Sequence, residues 1–226
     1  MAERGEREVG TNPMGELILV RHGETAWSLS GQHTGHTDLP LTEHGESQVR
    51  SVAPLLADRK VGLTLVSPLA RTRRTAELVG LAPYRLTPDL HEWDYGGYEG
   101  VTTADIHRTR PGWSLWTDGV TPGPAEFPGE TPEQVGARAD RVLAEVTDVL
   151  RSDDADVVLV SHGHFLRVLT ARYLGLEPAA GALFLLGTGT VSRLGTEHDR
   201  PVITAWNLEL PDSVLRAAEQ EKADVA

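Results

Sequence analysis

The stretch at residues 17–28 reads LILVRHGETAWS, and its abrupt change from apolar to polar residues is the strongest indication of the fold. The four apolar residues at 17–20 are typical of a buried β-strand. They lead directly into Arg21 and His22, and Gly23 follows with no side chain to obstruct a ligand. A buried strand that ends in arginine and histidine indicates either a polar turn or the floor of an active site.

The composition indicates a globular protein with a single domain, which we place at residues 15–210. With 226 residues and no cysteine, the chain is long enough to form a core without disulfides or structural metals. A cysteine-free chain fits a cytoplasmic location. The formal net charge of −12 opposes binding to nucleic-acid phosphates. Residues 1–14 are expected to be a flexible leader and residues 211–226 a C-terminal tail, and no apolar run is long enough to span a membrane.

Strand and helix patterns alternate along the chain and predict an α/β fold. Short apolar runs predict strands at Glu16–Val20, Leu63–Ser67, Asp156–Ser161, Thr190–Leu194 and Val202–Asn207. Helical spacing predicts helices at Thr42–Arg59, Leu69–Val79, Thr131–Ser152 and Phe165–Leu174. We therefore expect a mostly parallel sheet with ligand sites at the carboxyl ends of its strands. Residues 110–130 are rich in proline, glycine and tryptophan, which predicts a lid-like insertion at about 101–130.

Polar residues recur where the predicted strands end. His162-Gly163 follows one buried strand, just as His22-Gly23 follows another. The same dipeptide at His44-Gly45 lies at the start of a predicted helix, so a single His-Gly dipeptide is weak evidence for a functional site. Two copies that each follow a buried strand favour a shared site. A third strand leads to Ser67 and then Arg71.

These strand ends offer donors that suit a tetrahedral dianion. Arg21 and Arg71 can each grip phosphate in a bidentate manner, and the two histidines add further polar groups. Arg73 and Arg74 follow closely, and we interpret them as a solvated helix face. The pattern therefore points to a phosphate site on an acidic protein.

The stretch DLHEWDYGGYEG at residues 89–100 supplies three carboxylates: Glu92, Asp94 and Glu99. A general acid is needed if an alkoxide leaves, and any of the three suits this role on composition alone. Structural roles are expected for the other two.

Two further groups of side chains allow alternative interpretations. Four aromatic residues form either a wall for the substrate or part of the core: Trp93, Tyr95, Trp113 and Trp116. His33 and His36 have a spacing that can ligate zinc, but two imidazoles alone are a poor site and no metal is expected.

Five blocks of sequence carry a resemblance to a known family. RHGETAWS, HTGHTDLPLTEHG, SPLARTRRTA, EWDYGGYEG and SHGH match, in this order, the pattern of the histidine phosphatase superfamily. Within it, the chain resembles the phosphoglycerate-mutase-like branch, and especially its broad acid phosphatases and sugar-phosphate phosphatases. The resemblance covers roughly residues 16–170 and implies a three-layer α/β/α sandwich.

The resemblance also implies roles for individual residues. It makes His22 the nucleophile, with Arg21, Arg71 and a protonated His162 as the phosphate clamp, and Glu92 the proton donor and acceptor. Seven other positions match ligand-contacting residues of the family: Thr25, Ser28, Thr34, Gly35, Tyr95, Gly163 and His164. No cofactor and no metal are implied.

The resemblance favours a phosphomonoesterase that hydrolyses small phosphate esters. A mutase is the first alternative, but Trp93 follows Glu92 where mutases carry an arginine, and Thr103 replaces an expected lysine. The segment around Thr117-Asp118 lacks the arginine pair of mutases. A non-catalytic sensor of phosphorylated ligands is the second alternative. The expected partner is a small phosphorylated substrate, without nucleic acid or membrane, and a homodimer is left open.

Overall fold

A six-stranded sheet forms the centre of the computed structural model, which describes residues 15–152 and 155–210. The strands are β1 (Leu17–Arg21), β2 (Val61–Val66), β3 (Arg85–Leu86), β4 (Asp156–Ser161), β5 (Val191–Glu197) and β6 (Arg200–Leu208). The helices are α1 (Ala26–Ser30), α2 (Glu43–Val52), α3 (Ala70–Leu78), α4 (Thr103–Thr109), α5 (Leu115–Asp118), α6 (Pro132–Ser152) and α7 (Gly163–Tyr173). The expected leader at 1–14 and tail at 211–226 lie outside the described residues.

The strand order is β3-β2-β4-β1-β5-β6. The first four strands are mutually parallel, whereas β5 runs antiparallel to β1 and β6 antiparallel to β5. The prediction of a mostly parallel sheet is therefore confirmed. Because β1 and β4 are neighbours, their carboxyl ends open onto the same edge.

Apolar residues on both faces of the sheet create two cores. Alternate residues such as Leu17 and Leu19 pack on one face against α6 and α7, whereas Ile18 and Val20 pack on the other against α2 and α3. Strands buried on both faces read as continuous apolar runs, which explains the LILV stretch. Helices on both faces give the three-layer α/β/α sandwich that the resemblance implied.

The ends of the elements differ from the sequence prediction in ways that backbone chemistry explains. The predicted helix Thr42–Arg59 ends at Val52 and continues as a 3₁₀ turn at Ala53–Leu55, because Pro54 has no N–H to extend the α-helix. The five predicted strands are present: β4 has the predicted ends, the other four have shifted ends, and β3 is added to them. The predicted cap of α6 is confirmed, since Thr131 and Gln134 each accept a hydrogen bond from the other's backbone N–H.

The first half of the predicted insertion packs against the core. Ile106 of α4, Leu115 of α5 and Trp113 between the two helices are buried. Trp93 and Tyr95 are also buried, so most of the candidate aromatic wall belongs to the core. The lid role of this segment stays a prediction. In the described part of the chain, no helix is long and apolar enough to cross a bilayer.

Candidate active site

The register of two parallel strands brings the two strand-end histidines together. Arg21 at the end of β1 lies opposite Ser161 at the end of β4, so the residues that follow them are neighbours. The ring centroids of His22 and His162 are 5.1 Å apart with an interplanar angle of 63°. Both rings are buried, with exposed fractions of 4% and 0%. The sequence prediction that these imidazoles meet is therefore matched by the geometry.

The hydrogen bonding of His22 fixes which nitrogen is free. Its Nδ1 lies 2.7 Å from the carbonyl oxygen of Gly23, and because a carbonyl only accepts, Nδ1 must carry the proton. In the neutral ring the lone pair is then on Nε2. Burial, followed by the charges of Arg71 and Arg21, lowers the pKa of His22 well below its ordinary value. The site therefore holds a neutral imidazole beside two cations.

His162 is also neutral in this arrangement. Arg71 donates from Nε to Nδ1 of His162 at 3.2 Å, and Nε2 of His162 lies 2.8 Å from the hydroxyl oxygen of Ser67. Burial, followed by the charges of Arg71 and His22, lowers the pKa of His162 well below its usual range. The expectation of a protonated His162 is therefore wrong here, because a ring nitrogen that accepts from arginine carries no proton.

Arg71 enters the site from the first turn of α3 and is fully buried. Its terminal nitrogens donate to the backbone carbonyls of Thr37 at 2.9 Å and Gly35 at 2.8 Å, with a longer contact of 3.4 Å to Thr34. The guanidinium therefore holds the loop at 34–37 in addition to facing His162. Thr34 and Gly35 therefore lie beside Arg71, and their predicted contact with a ligand stays a prediction.

Arg21 keeps an unused donor inside the site. One terminal nitrogen donates to the carbonyl of Leu186 at 2.5 Å, whereas its Nε is buried without a hydrogen-bond partner. A Cβ added to Gly163 would lie only 3.0 Å from the guanidinium carbon of Arg21, so this glycine leaves room for the arginine. A buried guanidinium with an unpartnered N–H is suited to receive an anion.

Glu92 is held at the N-terminus of α7. Its carboxylate accepts hydrogen bonds from the backbone N–H of His164 at 3.0 Å, of Phe165 at 2.8 Å and of Trp93 at 2.9 Å. The side chain is buried, and both Arg21 and Arg71 act on it through their charges. Glu92 therefore faces the cationic centre of the site.

The other two candidate carboxylates are occupied in loop contacts. Asp94 accepts from the backbone N–H of Gly96 and of Gly129, each at 3.0 Å. Glu99 accepts from the N–H of Gly35 at 2.9 Å and of Thr37 at 3.0 Å. Structural roles for two of the three carboxylates, as expected from the sequence, fit these contacts.

The remaining predicted ligand positions divide into two groups. Thr25 and Ser28 form a capping box at the start of α1, and their hydroxyls bond to each other's backbone. Tyr95 places its hydroxyl 2.6 Å from Nδ1 of His164, beside the backbone that holds Glu92. Ligand contact by these four residues stays a prediction.

The two histidines weighed as zinc ligands have other neighbours. Nδ1 of His33 lies 2.7 Å from the carbonyl of Val101, and the ring packs against Tyr95. His36 packs against His91, with ring centroids 4.9 Å apart. Among the described residues no cluster of three or more histidine, cysteine, aspartate or glutamate side chains is arranged to hold a metal.

Sequence reasoning missed the pair Arg138 and Glu130, which lies directly behind Glu92. Arg138 is on α6 and donates to both carboxylate oxygens of Glu130 at 2.7 Å. A signal was present, because Arg138 falls four residues before Val142, inside the apolar stripe of the helix. A charged residue on a core-facing stripe needs a buried partner.

Together these groups are what phosphoryl transfer requires: a nucleophilic nitrogen, cationic donors for the equatorial oxygens and a carboxylate for proton transfer. The fold and site thus define an α/β enzyme of the phosphoryl-transfer class. A family model described as "Histidine phosphatase superfamily (branch 1)" matches residues 17–209. The chain belongs to the histidine phosphatase superfamily, and the predicted family, fold and enzyme class are confirmed.

Named relatives include both phosphatases and mutases. The chain is 42% identical over 184 residues to an acid phosphatase of Mycobacterium tuberculosis, covering 80% of this chain and 87% of the relative. It is 30% identical to a probable phosphoglycerate mutase GpmB of Cronobacter sakazakii, covering 88% and 93%. A solved structure of mycobacterial glucosyl-3-phosphoglycerate phosphatase with VO3 matches with a TM-score of 0.73 and 30% identity, covering 85% of this chain and 98% of that one.

Proposed function

We propose that the protein is a metal-independent phosphomonoesterase that hydrolyses small phosphate esters through a phosphohistidine on His22. The observation that carries the proposal is the buried, neutral His22 whose lone pair is on Nε2, beside Arg21, Arg71 and His162. A nucleophile of this kind attacks phosphorus in line, while cationic donors stabilise the charge on the equatorial oxygens.

In the first step, the lone pair on Nε2 of His22 forms a bond to phosphorus and the bond to the ester oxygen breaks. Glu92 enters this step as the carboxylic acid. The leaving oxygen takes its proton, and the carboxylate that results is held by the backbone N–H groups of Trp93, His164 and Phe165. The phosphorylated ring carries positive charge, and its Nδ1–H donates to the carbonyl of Gly23. Arg21 supplies its unpartnered Nε–H to the transferred group.

In the second step, water attacks phosphorus and the bond to Nε2 breaks, which returns the electron pair to His22. Glu92 accepts the proton of the attacking water and regains its starting form. Phosphate leaves as hydrogen phosphate, so the sum is ester plus water giving alcohol plus phosphate. The chain's own side chains supply the nucleophile, the charge and the proton.

We propose sugar phosphates as the substrate class. Support comes from the relative named as a phosphatase of glucosyl-3-phosphoglycerate and from the resemblance of the GQHTGHTDLPLT block to sugar-phosphate phosphatases. The relatives named as probable mutases keep phosphoglycerate mutase activity as the second candidate. Thr103 and the segment around Thr117-Asp118 lack the basic residues expected of mutases, which favours the phosphatase. A cytoplasmic location and a homodimer stay proposals.

The experiment is to trap phosphate on the enzyme and to follow its fate. Wild-type protein mixed with a ³²P-labelled ester and denatured in alkali should carry label, and His22→Ala should carry none. His44→Ala is the matched control, because this exposed histidine also precedes a glycine and should leave labelling intact. Glu92→Gln should reduce turnover by about 10²-fold or more while phosphate still binds.

Activity assays separate the candidates. Release of phosphate from a panel of sugar phosphates, without interconversion of 2- and 3-phosphoglycerate, supports the phosphatase. Interconversion without net release identifies a mutase. Binding of phosphate esters without label on His22 or turnover contradicts both and leaves the sensor.

A further inference from the structure

Arg138 uses three of the five N–H groups of its guanidinium on the segment that carries Glu92. Its Nη1 donates to the carbonyls of Asp89 and His91, each at 2.9 Å, and its Nη2 donates to the carbonyl of Glu92 at 3.3 Å. The remaining two N–H groups form the bidentate pair with Glu130. Since a guanidinium has five donors, none is left for solvent or substrate.

Glu130 extends the same hold to the residues after Glu92. Its carboxylate accepts from the backbone N–H of Asp94 at 3.0 Å, and its carbonyl accepts from the indole N–H of Trp93 at 2.9 Å. Hydrogen bonds from Arg138 and Glu130 therefore hold the segment at 89–94 on the side of α6. The carboxylate of Glu92 is gripped from the opposite side by the first turn of α7.

The guanidinium also braces α7. It lies over the ring of Phe165, 4.9 Å from the ring centroid, and the backbone N–H of Phe165 is one of the donors to Glu92. Arg138 thus contacts both the segment that carries Glu92 and Phe165, whose backbone N–H donates to the Glu92 carboxylate. None of its hydrogen bonds goes to His22, His162, Arg21 or Arg71.

Stability alone does not account for an ion pair at this place. The Arg138 side chain is 12% exposed and that of Glu130 19%. Replacing a buried ion pair by apolar side chains of similar volume is often neutral or stabilising. Replacing both partners by apolar side chains would remove the charges from the interior, whereas removing Arg138 alone leaves the carboxylate of Glu130 unpaired. What only a guanidinium supplies is the simultaneous fixing of three carbonyls and one carboxylate.

We propose that Arg138 is a positioning residue that holds Glu92 against the leaving oxygen of the substrate. This proposal rests on the proposed function, in which Glu92 protonates that oxygen. Arg138 touches neither substrate nor phosphate and acts only through the segment at 89–94 and through Phe165.

A misplaced general acid makes the reaction rate depend on the leaving group, whereas a loss of protein stability does not. Esters with a poor leaving group, such as sugar phosphates, need the proton in the transition state, whereas 2,4-dinitrophenyl phosphate expels a stable anion without it. Because Glu92 also acts as the base in the second step, the first step is measured alone, as the rate constant for phosphorylation of His22 in a single turnover. Arg138→Met should lower this rate constant by about 30-fold for a sugar phosphate and by less than about 3-fold for the dinitrophenyl ester. Binding of inorganic phosphate should stay near the wild-type value.

Two control variants change arginines of α6 and are assayed with the same two esters. Arg141→Met is matched, because Arg141 lies on α6 and pairs with Asp89 at 2.6 Å but is 57% exposed and contacts no carbonyl of the segment at 89–94. It should behave as wild type with both esters. Arg138→Lys keeps the charge without the bidentate grip and should show the same leaving-group dependence, to a smaller extent. Thermal unfolding of each variant reports whether it is folded.

A double mutant tests whether Arg138 acts through Glu92. In the Glu92→Gln background, adding Arg138→Met should cause no further loss with the sugar phosphate, since the acid is already absent. Equal loss with both esters, or a full additional loss in the double mutant, overturns the proposal. If Arg138→Met does not fold, Arg138→Lys decides in the same way.

The outcomes also separate this proposal from the proposed function. If the wild type forms no phosphohistidine, or if Glu92→Gln itself shows no leaving-group dependence, the proposed function fails and this proposal fails with it. If Glu92→Gln shows that dependence and both Arg138 variants do not, only the role of Arg138 is wrong.

Discussion

The imidazole of His22 offers one nitrogen to phosphorus, because the other is committed to the backbone. Nδ1 donates to the carbonyl of Gly23, the next residue in the chain, and this hydrogen bond orients the ring. Gly23 is required there, since a Cβ would lie 2.2 Å from the carbonyl oxygen of Gly45. The direction of attack therefore follows from a contact between adjacent residues.

This contact makes a prediction about the intermediate. We expect phosphate on Nε2 of His22, because phosphorylation at Nδ1 would break the bond to Gly23 and leave its buried carbonyl without a partner. NMR of the trapped, ¹⁵N-histidine-labelled phosphoenzyme distinguishes the two isomers. Phosphate on Nδ1 would contradict the assigned tautomer.

At the scale of single residues, the sequence predicted the centre of the site better than its supports. Arg21, His22 and His162 lie at or just after the end of a strand, and Arg71 lies in the first turn of the helix that follows β2. The carboxyl ends of parallel strands meet by geometry. The hold of Arg138 on the segment at 89–94 depends on contacts across more than forty residues of chain, which no local pattern encodes.

At the scale of elements, the loop at 34–37 is held from two sides. Arg71 donates to its carbonyls, and Glu99 accepts from the N–H groups of Gly35 and Thr37. A Cβ on Gly35 would lie 2.7 Å from a carboxylate oxygen of Glu99, so the loop and the carboxylate are in close contact. The position of Arg71 in the site is therefore linked to Glu99 through the loop at 34–37.

Removing this support should weaken phosphate binding. We expect Glu99→Ala to leave two N–H groups without a partner, to lower the free energy of unfolding by about 1–3 kcal/mol, and to raise KM several-fold through displacement of Arg71. Urea unfolding and initial-rate kinetics measure the two effects. Glu43→Ala, in the exposed first turn of α2, is the control and should change neither. An unchanged KM for Glu99→Ala would show that the loop holds its place without the carboxylate.

Helices and strands were predictable from the sequence where an apolar pattern repeats over many residues. They were not predictable where the element is short or depends on a local cap. α6 and the buried strands β1 and β4 follow from their apolar patterns. The two residues of β3 are too few to show a period, and α1 depends on the capping box between Thr25 and Ser28. β5 pairs antiparallel with β1, which is distant in the sequence, so no local pattern encodes its direction.

At the scale of the whole molecule, burial lowers the pKa of several histidines at once. The pKa is lowered for five described residues, namely His22, His33, His91, His162 and His164. Desolvation by burial is the largest cause in each case, because the interior disfavours the charged ring. In the unfolded chain these histidines titrate near an ordinary pKa of about 6.5. Below that pH the unfolded state therefore binds more protons than the folded state.

Stability should consequently fall as the pH falls below about 6.5. Where the unfolded state binds more protons, the free energy of unfolding rises with pH, by about 1.4 kcal/mol per pH unit for each histidine protonated only in the unfolded chain. We expect urea unfolding to show a loss of at least this size between pH 6 and pH 5. This window lies above the range in which ordinary carboxyl groups titrate, so the histidines dominate it.

His91 allows the effect to be assigned to one side chain. Its pKa is lowered to about 4, first by burial and then by the charges of His36, Arg138 and Arg71, against a smaller opposite effect of Glu130. His91→Asn removes this titration, so the slope of stability against pH between 6 and 5 should decrease by about 1.4 kcal/mol per pH unit. A stability that stays constant or rises on acidification would show that these rings accept protons in the folded state. An unchanged slope in the variant would show that His91 titrates alike in both states.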